Sequence, residues 1–586
     1  MMSSETLKKL QDAVKASRKK LAPFRDEEAA ALRQYVGQHY GENGADEAFP
    51  VNVLEIAVTT LLQQLAAKEP QVLLLTRDAS LKSMARDTEL AINEIMLRMD
   101  FGVELRSFVM SALFSIGIMK VGIEPVYSAE IDGESLTETD IYAQHIPFDD
   151  WVHDVTARKW SPDQVQFCGH TYRVPLEWVR KNEAFDEKAR SQVKKRDDQE
   201  NAFETSKGDT TAGLSHGAGD MFGEGEFVKY VSLWDIWIPS DGKIITFAHD
   251  AQDPLIETEL SGRNGNGPFH LLGFNPVLNN VMPLAPVANW LDAHDLQNRL
   301  FDKLGEQGRR QKTMLFVQPH ARADGDKVLN AGDGDVILTP NPGGVNEKRI
   351  GGPDQQTLGF AGYMRDITSY VMGNVDAQAG LGQQAGTASQ EKIIKDSGNA
   401  RIQAMQGQVL KSVRKIVRDI FWWMWQDPMI QLEMVATISG VDIPTSWPIQ
   451  IDEFGQEVDL RDGLDVDLFA VDIEPYSLQD KPPAQRLQEL RMIWQQDIMP
   501  LVQMGQAQGD VEKYLQMLSK YGDWPEVEEL AVLAPLGAAS SGTGPAPQQP
   551  QEEQVPDGGG AQQPGMSMQG AERQMMTEAM GAGQPA

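Results

Sequence analysis

Asp376–Trp425 constrains this chain more than any other stretch, because a long uncharged run passes directly into a long periodic one. After Asp376 the residues to Gln390 are almost all Ala, Gly, Gln, Thr and Ser. They have no apolar surface to bury, so this part reads as a loop. The pattern then changes. Thr387 or Ser389 can cap a helix, Glu391 follows in its first turn, and Ile402, Met405, Val409, Val413, Ile416, Ile420 and Met424 recur at steps of three and four. One amphipathic helix is expected, and thirty-odd residues at ~1.5 Å each span roughly 50 Å, enough to cross a large domain. Gly398 and Gly407 fall inside it, each costing about 1 kcal/mol relative to Ala, and mark places for a kink or a close backbone neighbour. Its cations, Lys392, Lys395, Arg401, Lys411, Arg414, Lys415 and Arg418, face only Glu391, Asp396 and Asp419, in a protein of net charge -32. They form either a solvated helix face or a basic surface set beside a polyanion.

That acidity bears on partners. A chain of 586 residues can bury a large core and several structural units, but its general surface is unsuited to coating nucleic acid. Contact with DNA would be confined to a local, less acidic lining. The single cysteine, Cys168, excludes an internal disulfide framework and a multi-cysteine metal site, and fits assembly in a reducing cytoplasm as a buried thiol. The N-terminus carries positive charge with no apolar run behind it, so it does not read as a secretory signal. The most apolar stretch, Ser107–Met119, is shorter than the ~18 residues needed to cross a bilayer and reads as a buried helix.

In chain order, Glu5–Tyr40 reads as a helix broken at Pro23, and the pattern resumes at Val51 with Leu54, Val58, Leu61, Leu62 and Leu65 as a buried stripe that ends before Pro70. Helical periodicity continues through Leu81–Met99 and Val103–Ile116. Strands are expected at Ile118–Val126 and Ser128–Ile131, with a turn at Asp132-Gly133, and again at Val228–Ile238 and Lys243–Ala248. Between them, Leu176–Asn201 is charged and helical in pattern, and Thr205–Glu226 is a polar, glycine-rich surface loop. A second long helix begins at Pro286, with Val287, Trp290, Leu291, His294, Leu300, Phe301 and Leu304 on its apolar side. Two short apolar runs follow, Met314–Val317 and Val336–Leu338, and helix returns at Thr357–Val375. Beyond the long helix come a mixed region with Pro444 and Pro448, a strand at Leu464–Glu474, helices from Pro482 to Gly522, and a tail whose Gly, Pro, Gln and Met content predicts disorder.

No motif carries chemistry. Asp324/Asp326 and Asp333/Asp335 lack the alternating ligands and closing Glu of a calcium loop and read as Asp-Gly turns. Gly380, Gly382 and Gly386 are spaced one residue too widely for a dinucleotide fingerprint and follow no strand. Neither a P-loop nor a G-x-S-x-G elbow occurs. Phe421, Trp422, Trp423 and Trp425 surround the long helix, so at least one is expected to meet a neighbouring chain.

Helix, β-containing insert, helix, neutral loop and long helix, in that order, resemble the portal protein of tailed bacteriophages, the short-tailed type especially. The carrying residues are 286–312 as a first stem helix, 313–354 as a clip, 355–375 as a second stem helix, 376–390 as a tunnel loop and 391–426 as the long wing helix. The stretches from Pro50 and from Asp472 are also similar to this family, and the likeness spans Phe49 to Leu533. It implies an α+β, mainly helical portal fold, with residues 1–285 and 427–475 as the wing, 476–533 as a helical crown and 534–586 as a disordered tail. It further implies a ring of twelve copies at one capsid vertex, with double-stranded DNA passing through its channel. The implied partners are the terminase ATPase, tail adaptor proteins, and capsid and scaffolding proteins. Assembly would occur in the bacterial host cytoplasm and the product would reside in the virion. No cofactor, metal, catalytic residue or membrane contact is expected.

On this basis Gly380, Gly382, Gln383, Gln384 and Gly386 are the candidate DNA-channel loop, Lys392, Lys395 and Arg401 the candidate channel-facing cations, and Trp290, Ile416 and Trp422 the candidate subunit interface. The absent P-loop fits an ATPase supplied by a partner. A rival reading is an enzyme, such as a hydrolase, with an unrecognised site. A third is a peripheral membrane protein that uses the basic helix Lys8–Lys20.

Overall fold

The structure is a computed structural model that describes residues 2–37, 52–131, 134–193, 230–249, 251–260, 267–332, 334–340, 342–373, 388–427, 430–438, 441–451, 457–461 and 464–473, with a few positions between 491 and 499. The chain divides into two compact units, Met1–Lys481 and Pro482–Ala586, and the elements below belong to the first. Helices and antiparallel sheets are mixed throughout it, an α+β arrangement. The loops expected at 205–226 and 376–390, the crown and the tail lie wholly or mainly outside the described residues.

Helix α1 (Ser4–Val36) is capped by the Ser3 hydroxyl, which accepts from Thr6 N at 3.2 Å. It runs through Pro23 without the expected break. A proline removes one helical donor, and here Arg25 donates back into the turn below it, to the Arg18 carbonyl at 3.1 Å, while also reaching the Trp151 carbonyl at 2.7 Å. Leu7, Leu10, Val14 and Leu21 are buried within the chain, so the apolar face that a membrane-surface helix would need is already used. No described helix is long and apolar enough to cross a membrane.

Helix α2 (Val53–Leu65) buries Leu54, Val58, Leu61, Leu62 and Leu65, as their spacing predicts. Strand β1 (Val72–Thr76), helix α3 (Lys82–Arg98) and helix α4 (Phe101–Phe114) follow. Strands β2 (Gly117–Ile131) and β3 (Glu134–His145) form a hairpin that pairs Ile131 with Glu134, and β9 (Phe269–Leu272) joins the other edge of β2. A five-stranded antiparallel sheet contains β4 (Trp151–His153), β5 (Cys168–Pro175), β6 (Tyr230–Ile238), β7 (Lys243–Ala248) and β8 (Ile256–Glu259) in that order. The charged stretch after Pro175 forms two short helices, α5 (Leu176–Lys181) and α6 (Glu187–Gln192), rather than one. Cys168 is a free, buried thiol in β5.

A buried ion pair joins the two sheets. Lys120 Nζ on β2 donates to Asp235 Oδ2 on β6 at 2.8 Å, and Asp235 Oδ1 also accepts from Thr246 at 2.7 Å and Tyr172 at 3.1 Å. Burial works to raise the Asp235 carboxyl, but the Lys120 charge, the His170 imidazole and the hydrogen bonds from Lys120 and Thr246 together outweigh it and hold the group below the usual range.

Next come α7 (Ala288–Arg309), β10 (Lys312–Val317), α8 (Arg322–Asn330), β11 (Val345–Ile350), α9 (Gln355–Val371) and the 39-residue α10 (Ala388–Gln426). Helix α10 is the axis of the largest core. Val409, Val413, Ile416, Val417, Ile420, Phe421 and Met424 have no exposed surface and belong to the core where the helix packs on α2, β2, β9 and the strand Phe469–Ile473. A Cβ built at Gly407 would meet nothing within 4 Å, so no close backbone neighbour explains that glycine. Short antiparallel pairs complete the unit: β12 (Leu432–Ile438) with β13 (Val441–Trp447), and β14 (Ile449–Ile451) with β15 (Glu457–Asp459). Finally, β16 (Phe469–Ile473) returns to pair with β1, Val72 opposite Ile473. Buried Trp447 donates its indole N–H to Thr88 of α3 at 3.1 Å.

Candidate channel and docking elements

Helices α7 and α9 form a hairpin whose two roots lie in the core. Val287 is fully buried and donates its N–H to the Leu113 carbonyl of α4 at 3.2 Å, while Met372, just past α9, is also buried in that core. The far ends are tied as well. The Asp354 N–H donates to Gln307 Oε1 at 2.9 Å, and the Asp354 carboxylate caps α9 by accepting from Thr357 N at 3.1 Å. The Thr357 hydroxyl, which also donates to this carboxylate at 3.0 Å, and then the Thr357 N–H hold it below the ordinary aspartate range.

The seam between the two helices is more polar than periodicity suggests. Trp290, His294, Gln297 and Asn298 are buried on α7, and Ala361, Met364 and Thr368 on α9, whereas the expected Leu300, Phe301 and Leu304 are only half-buried. Asn298 Nδ2 donates to the His294 carbonyl at 3.0 Å. Burial lowers the His294 imidazole to about 4, so it is neutral in the folded chain. The outer faces of the hairpin stay apolar: Leu358 is 57% exposed and Tyr363 61%, with Leu296, Phe360 and Tyr370 also exposed.

At the far end, β10 pairs antiparallel with β11, Lys312 opposite Ile350 and Val317 opposite Val345. The second apolar run, Val336–Leu338, forms no strand, and Val336 and Leu338 are exposed. Helix α8 intervenes and draws that segment to itself, because Asp324 in its first turn accepts from Thr339 Oγ1 at 2.7 Å and from Lys327 at 3.2 Å. Asp324 and Asp326 therefore sit in a helix, not in the Asp-Gly turns expected of them. Helix α8 lies against one side of the ribbon so closely that a Cβ at Gly325 would stand 2.6 Å from Val317 Cγ2.

Of the sequence-predicted site residues, Gly380, Gly382, Gln383, Gln384 and Gly386 lie outside the described residues. Lys392 and Lys395 lie on the first turns of α10, where the backbone is helical. Arg401 donates from Nη1 to the Val371 carbonyl in the last turn of α9 at 2.9 Å. A cation expected to face a channel thus has one donor committed to a helix C-terminus, where positive charge is favoured. The same bond ties together the two ends of the excursion between residues 371 and 401, which periodicity gave no means of seeing. Further along α10, Arg414 pairs with Asp472 and Arg418 approaches Asp467 at 3.9 Å, so part of its basic stripe answers local acids.

Two of the three interface candidates are already used inside the chain. Ile416 has no exposed surface and Trp290 only 6%, so both already pack within one chain and offer nothing to a second. Phe421 and Trp425 likewise point inward. Trp422 and Trp423 are half-buried, with ring centroids 4.8 Å apart in an edge-on arrangement, and line a small cavity with Asp419, Val121 and Pro268. Asp419 Oδ2 lies 3.0 Å from His270 Nε2 of β9, where α10 packs on that strand.

No protein-family model matches the sequence, and comparison with curated proteins returns no match.

Proposed function

We propose that this chain is a portal protein of the tailed-bacteriophage type, a ring-forming channel at one capsid vertex through which double-stranded DNA is packaged and ejected. One observation carries the reading. A helical hairpin is rooted at both ends in the core, bears a strand-and-helix tip at its far end, and returns to a neutral segment that leads straight into a 39-residue helix at the centre of that core. Apolar side chains left exposed along the hairpin, Leu358 and Tyr363 among them, supply surface that a neighbouring copy would cover. In this reading the ring has twelve subunits, stands in the capsid among capsid and scaffolding proteins, and performs no catalysis. The tip docks the terminase ATPase during packaging and tail adaptors afterwards. The loop 376–390, uncharged after Asp376, faces the DNA.

Electron microscopy of the purified chain tests this. Closed rings with a central hole are expected, and a monomer at all concentrations would overturn the reading.

A further inference from the structure

The β10–β11 ribbon has two unlike faces. Successive strand residues point to opposite sides, so the register places Lys312, Met314 and Phe316 on one face with Ile350, Lys348 and Asn346 opposite them. The other face carries Val317, against which Gly325 of α8 is pressed. Helix α8 thus packs on that face at its Val317 end, while on the first face Met314 is 47% exposed, Phe316 49% and Ile350 47%. Among the described residues, this strip of three large apolar side chains on a two-stranded ribbon stays about half exposed.

The charges beside the strip identify what fits. Lys312 and Lys348 flank it, the Lys348 ammonium lies 5.8 Å from the centre of the Phe316 ring, and none of the six positions on this face is a carboxylate. In a chain of net charge -32 this is a local exception, and beyond a Debye length of about 8 Å the remaining acidity is largely screened. We infer that this face docks an acidic segment of a partner protein bearing apolar side chains at alternate positions, its carboxylates meeting Lys312 and Lys348 and its apolar residues covering Met314, Phe316 and Ile350. The inference deepens the docking role given above and rests on it. DNA would satisfy the lysines but leave the apolar strip uncovered, so a protein segment is the better match.

Fluorescence anisotropy with the full chain tests this, using short labelled peptides that alternate Glu with Leu, Glu with Ser, or Lys with Leu, and a short DNA duplex. Only the Glu/Leu peptide should bind, more weakly as salt rises. K312E/K348E and F316S should each weaken it about tenfold or more, whereas Arg349→Glu, on the α8 side of the ribbon, should not. Equal binding of the Glu/Ser peptide, tighter binding of the duplex, or loss by Arg349→Glu would each overturn the inference. So would a change in oligomeric state on K312E/K348E, which would make this face a contact between copies. Rings that bind no peptide would sink the docking face and leave the channel reading standing. A monomer that binds the Glu/Leu peptide would do the reverse.

Discussion

Burial selects opposite protonation states at different residues of this chain. At Glu28, burial first and then the nearby Asp149 charge raise the carboxyl to about 8, although Arg25 pulls the other way. Between 4.5 and 8 the unfolded glutamate loses its proton while the folded one keeps it, so this residue favours folding below that window and loses the contribution as pH rises through it. The slope is at most about 1.4 kcal/mol per pH unit. His153 and His170, lowered by burial to about 4 and about 3, act in the other sense. Their unfolded forms take up a proton below 6.5, so stability is lost as pH falls from there toward the folded values. The chain should therefore be most resistant to urea at intermediate pH. Glu28→Gln should flatten the alkaline limb, raising the urea midpoint near pH 8 relative to wild type. An unchanged alkaline limb would mean that Glu28 is ionised in the folded chain.

Among the elements, α10 and the α7–α9 hairpin separate what holds one chain together from what is left for another. Ile416→Ala opens a cavity in a fully buried site and should cost about 2–5 kcal/mol of stability. Leu358→Asp and Tyr363→Asp change exposed positions and should leave the denaturation midpoint within a few tenths of a kcal/mol, but reduce ring assembly in sedimentation runs. Rings that survive both aspartates would place the subunit contact elsewhere. The same contrast explains what could be read from the sequence. Helices α2, α3, α4 and α10 were legible because residues three and four apart share a face whatever the rest of the chain does. Such a stripe says that a side chain is buried but not by which chain, which is why Trp290 and Ile416 read as interface. Strand β1 escaped because five residues between a proline and a turn become a strand only by pairing with β16, at the other end of the unit. Val336–Leu338 is legible only as an apolar run, and it stays exposed beside the ribbon, with the adjoining Thr339 bonded to Asp324. The Arg401–Val371 bond and the bare face of the ribbon depend on contacts between elements, which periodicity does not encode.

At the scale of the whole molecule, the proposed channel must admit a polyanion into an assembly whose every subunit carries a net charge of -32. That repulsion prevents the general surface from holding DNA, and passage then depends on what lines the narrowest part. Each phosphate neutralised by a fixed cation adds salt-dependent affinity that must be broken before the DNA can advance. A lining of small uncharged side chains avoids this, since Gln383 and Gln384 can offer weak, exchangeable hydrogen bonds to phosphate oxygens. Replacing both glutamines with lysine should therefore slow or stall packaging in a reconstituted assay, most severely at low salt where screening is least, while ring assembly is unchanged. Equal packaging rates for the lysine variant and the wild type across salt concentrations would show that these residues do not meet the DNA.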